Sequence, residues 1–578
     1  MVRGRARKQK FVQPISSVRR SQLITTYGIG SLIPVASESF IMLGQDYWYA
    51  DHSNRREFEI SEPNLARALN VRTFLQPPSG DRDTLQIARF PEWVTCPNCN
   101  RLDKWYKLAR KNKEGERINE CRYCPGKSLV TSRFVAACSN GHIQDFPYWR
   151  WLHKGFNGEE GSNHEIRLQV DGGDDSLRGI QLTCSCGAAR TMENALGRGF
   201  LQLQCEGGTP WLPSLDSASC DERLTGLQRG ASGVWRSKVR AAISIPAPES
   251  KALSVIQDKF DYLAGMPEDL RNSNFDYIAK LEGLSIPELK KAFLDMQIPD
   301  ASKSTEEMLL DILDGEYAAF QETAEEVDGD EEFVCYVYDL EQSLARNSGI
   351  ISVSQLPRLR EVRVLTGFSR LEPDDKQKSR NENLLSEKPM NWLPAIEAFG
   401  EGIFVHLDPE RLSQWESTKY AIDRAAKINN AKPVSGITPR ELLLHSLSHS
   451  LMDQLALVTG YPASSIKERI YARGDQAGIL FYTSTSDSAG SLGGLSAQGT
   501  VANILKVMTG AVEHARWCTA DPVCIESNVR GVDNSNLAAC HYCMLAPEVS
   551  CEAHNQFLDR ACLIGSPEFP GAGYFGER

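Results

Sequence analysis

The sequence predicts an α+β, multidomain protein with small cysteine-rich modules, an acidic helical middle region and a mixed α/β C-terminal domain. Three observations carry that expectation. At 578 residues the chain is too long for one hydrophobic core, and about three to four domains follow from typical domain sizes. Its sixteen cysteines cluster at short, knuckle-like spacings. Helix-like and strand-like hydrophobic patterns both occur, in different parts of the chain.

Residues 1–20, MVRGRARKQKFVQPISSVRR, hold seven Lys/Arg and no acid and read as a basic flexible arm. Such an arm suits contact with phosphates and suits a solubilising tail equally. Residues 21–90 form an N-terminal mixed module that ends near the turn-rich QPPSGDRD at 76–83. Residues 91–235 are the cysteine-rich region, and 236–389 a mostly helical acidic middle region. Within the latter, SIPELKKAFLDM and STEEMLLDILDGEYAAF place Ser, Thr, Glu and Pro at helix-start positions, and residues 316–333 carry eight acids and no base. The polar segment LEPDDKQKSRNENLLSEK (371–388) reads as a surface loop.

Residues 390–578 form the C-terminal domain. ITPRELLLHSLSHSLMDQLALVTG predicts its clearest helix. Thr438 and Glu441 make a capping box, Pro439 fits the first turn, Gly460 fits the stop, and Leu444, Leu447, Leu451, Leu455 and Val458 line one apolar face. GILFYTSTSD (478–487) predicts a strand, GSLGGL (490–495) a tight loop, and 497–517 a second helix. No run approaches the ~18 apolar residues of a membrane span, and the first residues lack a secretory apolar core. A cytoplasmic protein with reduced thiols is therefore expected. The net charge of −11 argues against a surface uniformly adapted to nucleic acid.

Cysteine spacing points to metal. Cys96-x2-Cys99 and Cys121-x2-Cys124 have zinc-ribbon-like spacing, since each knuckle turns two thiolates to one side and two knuckles complete a tetrahedron. Cys184, Cys186, Cys205 and Cys220 make a second candidate set. Cys518, Cys524, Cys540 and Cys543 make a third, with Cys551, which has His541 and His554 nearby, as a substitute ligand. Two to three structural Zn2+ ions follow. Cys138-x3-His142 fits either a metal or simple packing.

Other motifs carry less. GKS at 126–128 lacks the upstream glycine of a phosphate loop, and no G-x4-G-K-[ST] occurs, so P-loop ATP hydrolysis is not expected. His445 and His449 share a zinc-compatible spacing, but HSLSH lacks the glutamate of H-E-x-x-H; half-buried structural histidines are the favoured reading. SDSAGSLGGL (486–495) could offer N–H groups to an anion or be a plain turn. FPYWRWLHKGF (146–156) mixes aromatic and basic residues, which suits single-stranded nucleic acid or a tryptophan brace beside a small metal site.

RRSQLITTYGIGSLIPV, FVAACSNGHIQDFPYWRWLH, ERIY…GILFYTSTSDSAGSLGGL and CHYCMLAPEVSCEAHNQFLDRA, in this order, resemble the DrmB family, the helicase-associated accessory proteins of DISARM anti-phage defence. The similarity runs from about residue 19 to 565. Residues 435–565 also resemble a zinc-binding domain fused to some DNA-repair helicases, whose four-cysteine cluster maps onto Cys518, Cys524, Cys540 and Cys543. The resemblance implies an intracellular complex with a separate DrmA-like helicase, as a heterodimer acting on invading DNA, and a subunit with no catalytic residues of its own. Arg19, Arg20, Arg150, Lys154, Ser491, Gly493 and Gly494 are the candidate phosphate contacts. Two alternatives stand beside this: a phosphodiesterase or nuclease using His445, His449 and Asp487, and a scaffold that touches no DNA.

Overall fold

The strand Phe134–Ala137 (FVAA) is buried on both faces, and its alternation decides how the N-terminal half is built. Phe134 and Ala136 point into one apolar cluster, Val135 and Ala137 into another, as the two-residue period of a strand requires. The computed structural model describes residues 16–49, 55–78, 84–153, 164–197, 199–215, 219–245, 248–297, 303–324, 332–371, 384–432, 436–485, 493–529, 531 and 535–576. Most of the basic arm therefore lies outside the described residues.

Five consecutive stretches are expected from composition, whereas the chain folds into two compact units. One takes Met1–Ile60, Phe74–Arg240 and Val364–Ile396; the other takes Ser61–Thr73, Ala241–Arg363 and Glu397–Arg578. The difference arises because the long strands Ile350–Ser369 and Trp392–Leu407 each contribute residues to both units.

In the first unit, Leu32–Val35, Glu38–Met42 and Ile87–Arg89 form a three-stranded sheet. A six-stranded sheet runs Val130–Thr131, Trp93–Thr95, Arg101–Lys104, Ile166–Val170, Ile180–Cys184 and Ala189–Thr191. Phe134–Ala137 is the centre of a third sheet, between Ile143–Asp145 and Thr225–Gln228. Arg370 ties this unit together. Its guanidinium is fully buried and donates to the carbonyls of Gly141 (3.0 Å), Val234 (2.5 Å) and Gly30 (2.6 Å), between the rings of Trp211 and Phe368. Burial lowers its pKa to about 9. Gly30 has φ +77°, and a β-carbon there would stand 2.5 Å from the Phe368 ring, so only glycine fits.

The second unit takes the short helix Pro63–Ala68 and then four consecutive helices, Pro248–Ala264, Glu268–Glu282, Ile286–Gln297 and Thr305–Ala319. Ser304 and Glu307 close a reciprocal capping box on the last of them. Beyond them the middle region is no longer mostly helical: Val334–Asp339 and the twenty-residue Ile350–Ser369 are strands, with only the short helix Gln342–Ser348 between them. The stretch IISVSQLPRLREVRVLTGFS is rich in β-branched residues, which favours extended backbone. In the sheet, Ile350–Ser369 neighbours Trp392–Leu407, followed by Gly478–Thr485 and Ile466–Tyr471. Ile403, Val405, Ile479 and Phe481 face one core; Phe404, Leu480 and Tyr482 face the other.

The helix Pro439–Thr459 lies in the first of these cores. It has the expected capping box between Thr438 and Glu441 and stops at Gly460 with φ +72°. A single apolar face is not what it presents, however. Every side chain from Leu442 to Met452 is buried, so the helix is enclosed all round, while Val458 is exposed.

The helix Lys419–Ala431 is held to the C-terminal segment by a buried ion pair, Arg424 Nε and Nη2 to Asp559 Oδ2 and Oδ1, both 2.6 Å. Asp559 also accepts from the N–H groups of Ala538 and Ala561. Asp559→Ala leaves a buried, uncompensated guanidinium, and the expected loss is about 3–5 kcal/mol. Urea denaturation followed by tryptophan fluorescence checks it.

Candidate metal centres

The knuckles begin where strands end. Cys96 follows Trp93–Thr95, and Cys121 closes Arg117–Cys121. Asn100 (φ +58°) and Gly126 (φ +75°) take the left-handed turn that folds each knuckle over its own sulfurs. Cys96, Cys99, Cys121 and Cys124 then bring four sulfurs within 4.8 Å of one another, with Cys99 and Cys121 3.9 Å apart. Burial raises Cys99, but N–H donation from Arg101 and its neighbouring thiols outweigh this and bring it to about 7.

Cys184, Cys186, Cys205 and Cys220 do not form one set. Cys205 and Cys220 meet Cys138 and His142: Cys138 Sγ is 3.9 Å from Cys220 Sγ and 3.5 Å from His142 Nδ1, and Cys205 Sγ is 3.6 Å from the same nitrogen. Cys184 and Cys186 meet His153 and His164 instead, with Cys184 Sγ 3.4 Å from His164 Nδ1 and Cys186 Sγ 3.5 Å from His153 Nε2. The physical reason lies in the strands. Cys184 ends Ile180–Cys184 in the six-stranded sheet, whereas Cys138 follows Phe134–Ala137, whose partner Thr225–Gln228 lies just after Cys220.

His153 is prepared for ligation. Its Nδ1 lies 3.0 Å from the Trp149 carbonyl, which can only accept, so Nδ1 carries the hydrogen and Nε2 turns its lone pair to Cys186. The Trp149 ring packs on both histidines, with centroids 4.1 Å from His153 and 5.1 Å from His164. Phe146, Tyr148, Trp149 and Trp151 are all buried, so among the described residues this aromatic segment braces the centre and offers no stacking face to bases.

The last four-cysteine cluster joins Cys518, Cys524, Cys540 and Cys543, with Sγ separations of 3.4 Å (518–540), 3.7 Å (524–543) and 3.7 Å (540–543). Asp521 accepts from the N–H of Cys518 and Ile525 and from Arg560, which fixes the first knuckle. Cys551 is not in this cluster. It faces His445, His449 and Glu468, all buried. His541 and His554 are exposed.

Donor chemistry fits Zn2+ at these four clusters. Zinc–sulfur bonds of about 2.3 Å in a tetrahedron put sulfurs about 3.8 Å apart, whereas a disulfide needs about 2.05 Å. Every cysteine is free. Thiols this close also oppose one another's ionisation. Contact with the Cys205 thiol pulls Cys138 down to about 4 despite burial, and contact with Cys138, with burial added, pushes Cys205 far up. A divalent cation removes that conflict by stabilising all the thiolates together. Four protein donors leave no open position, which makes these centres structural.

The backbone that follows two of the candidate phosphate contacts, Gly493 and Gly494, already holds a carboxylate. The N–H groups of Leu495 (3.2 Å) and Ser496 (2.9 Å), just past Gly493 and Gly494, already donate to the carboxylate of Glu401, which Tyr461 also binds. Burial raises Glu401, but these donors hold it below its ordinary value. The loop does receive an anion, and it is the protein's own. Ser491, Asp487 and Lys154 lie outside the described residues. Arg19 is exposed, Arg20 donates to Gln76 (2.9 Å), and Arg150 pairs with the exposed Glu206 (3.3 Å).

Two family models match the chain: a domain of unknown function (DUF8724) over residues 19–236 and the MrfA Zn-binding domain over residues 447–544. The chain is also 30% identical, over 559 residues, to the DISARM protein DrmB of Bacillus paralicheniformis, covering 91% of this chain and 97% of that protein. It belongs to the DrmB family. The MrfA Zn-binding match contains the whole Cys518–Cys543 cluster, and this DrmB-family chain is a zinc protein with multiple structural centres. Among the described residues no helix is long and apolar enough to cross a membrane.

The four clusters exceed the two to three ions expected from spacing because histidines complete two of them. His153 and His164 carry no cysteine-like spacing signal; the unpaired C-x-C at 184–186, which lacks two ligands, is the only sequence hint of them. If Cys184 and Cys205 serve separate ions, Cys184→Ser and Cys205→Ser each lower bound zinc by one equivalent, and the double variant lowers it by two. Loss of a single ion in the double variant would mean a shared site. Metal analysis by mass spectrometry reads the difference.

Proposed function

We propose that this chain is a non-catalytic, zinc-stabilised accessory subunit of a DISARM-type anti-phage complex in the cytoplasm, docking on a DrmA-like helicase and helping it engage DNA. The observation that carries this reading is that the groups best suited to chemistry are already consumed inside the fold. His445 and His449 are 4% and 3% exposed, too buried to reach a phosphodiester. The loop amides hold Glu401, and the four zinc clusters have complete protein ligand sets. What the C-terminal domain does present is a rigid surface. Trp517 (61% exposed) and Tyr542 (71% exposed) stand beside the ligands Cys518, Cys540 and Cys543. Large aromatics held on a stiff metal knuckle are favourable anchors for a protein partner. The helicase is the partner because this domain resembles zinc-binding domains fused to helicases.

Changing both Trp517 and Tyr542 to alanine should weaken association with the co-expressed helicase by about 2 kcal/mol or more, roughly 30-fold, with zinc content unchanged. Size-exclusion chromatography and titration of the purified subunits measure this, and undiminished affinity would sink the docking face. DNA engagement has its own test. The Arg150–Glu206 pair is exposed and therefore weak, so Arg150 can exchange it for a phosphate. Arg19→Ala together with Arg150→Ala should lower the salt slope of DNA binding by the assembled complex by about two. An unchanged slope would leave the subunit a scaffold.

A further inference from the structure

We propose that His445, His449, Glu468 and Cys551 form a fifth metal centre, a closed N2OS site for Zn2+, separate from the four-cysteine cluster of the same domain. His445 and His449 sit one turn apart on the helix Pro439–Thr459, Glu468 on the strand Ile466–Tyr471, and Cys551 directly after the short turn Glu548–Ser550. All four are buried, and their donor atoms lie within 4.8 Å of one another. His445 Nε2 is 3.1 Å from both Cys551 Sγ and Glu468 Oε1, and His449 Nε2 is 3.3 Å from Glu468 Oε1. Two of the four, His445 and Cys551, lie outside the segment that matches the MrfA Zn-binding domain.

Hydrogen-bond directions favour a cation at the centre. His449 Nδ1 is 2.7 Å from the Met544 carbonyl oxygen, which only accepts, so Nδ1 carries the hydrogen. In the neutral ring Nε2 then has a lone pair, and it faces a carboxylate oxygen. Two acceptors opposed in a dry interior repel each other. The other oxygen of Glu468 is occupied by the Ser448 hydroxyl, which leaves Oε1 as a single donor atom aimed inward. Cys551 Sγ accepts from the backbone N–H of Asn555 (3.3 Å), a contact that supports a thiolate. One proton on His445 Nε2 can serve either the sulfur or the carboxylate. A single divalent ion serves all four atoms, and His449 bonded to a backbone carbonyl has the outer-shell support of a metal-ligating histidine. Two nitrogens, one oxygen and one thiolate around a closed site suit zinc, and the absence of a fifth, open position makes the role structural.

Such a centre would clasp the 545–555 segment to the buried helix. It lies next to the Cys540–Cys543 knuckle through Met544, whose carbonyl holds His449. The site does not depend on the docking role proposed above.

Native mass spectrometry of the full chain tests it. Cys551→Ala and His445→Gln should each bind one metal ion fewer than the unaltered chain, and a count equal to the unaltered chain's in either folded variant would overturn the proposal. Should neither variant fold, the unaltered chain decides: five bound zinc ions support the site, and four or fewer overturn it. In the latter case an imidazolium–carboxylate network occupies the same place.

Discussion

A helix buried on every side cannot leave a polar group unpaired, and the C-terminal unit is organised around that constraint. Between Leu442 and Met452 the helix Pro439–Thr459 carries two histidines and three serines into the core. Ser446 accepts from the Asp559 N–H, Ser448 donates to Glu468, His449 reaches the Met544 carbonyl and Ser450 reaches the Met544 sulfur. Most of these partners come from the last forty or so residues, a stretch with little regular secondary structure. Segments of that kind have few backbone ladders to hold them. Here the helix supplies the missing partners, and its polarity, costly if unmatched, becomes the reason the tail has one position.

Metal ligation solves a related problem in the N-terminal unit. Its strands are short, mostly three to five residues, and each sheet alone buries little apolar surface. Cys96, Cys121, Cys138 and Cys184 sit at strand ends, where pairing stops and the chain turns. Cys138, Cys184, Cys205 and Cys220 also belong to the apolar cluster formed around Phe146 and Trp151. Metal and hydrophobic contacts therefore stabilise the same residues, with Trp149 packed on His153 and His164 as the link between them.

How legible this was depended on how local each signal is. The matched C-x-x-C knuckles and the Thr438–Glu441 capping box are written within a few residues, and the fold realises both. Histidine ligands were harder, because His153 and Cys186 are brought together only by a helix and two strands of the six-stranded sheet. The same applies to Cys551, which sequence proximity assigns to the neighbouring knuckle and the fold gives to His445. Periodicity misjudged the Pro439–Thr459 helix, since serines and histidines score as polar wherever they point. The glycine loop left a plain turn and an anion receiver both open, and no local pattern could reveal that Glu401, about ninety residues earlier, accepts from the amides of Leu495 and Ser496 that follow it. The division into two units was illegible for the same reason: it is set by two long strands whose halves belong to different cores.

That interleaving has a consequence for the newborn chain. The first core needs Leu365, Phe368, Trp392 and Ile396 beside Leu23, Ile24 and Ile41. The second needs Leu563 and Tyr574. At about 5–20 residues per second, the ribosome takes roughly 20–70 s to travel from residue 60 to residue 396. Over that interval the early strands gain Val135, Ala137, Trp211 and Val234 as partners but still lack the share of the core that Leu365 to Ile396 supplies, while the Cys96–Cys220 stretch, once made, holds its metal ligands well before that core is complete. Zinc available during translation can then fix the cysteine-rich stretch before the apolar core around it is complete.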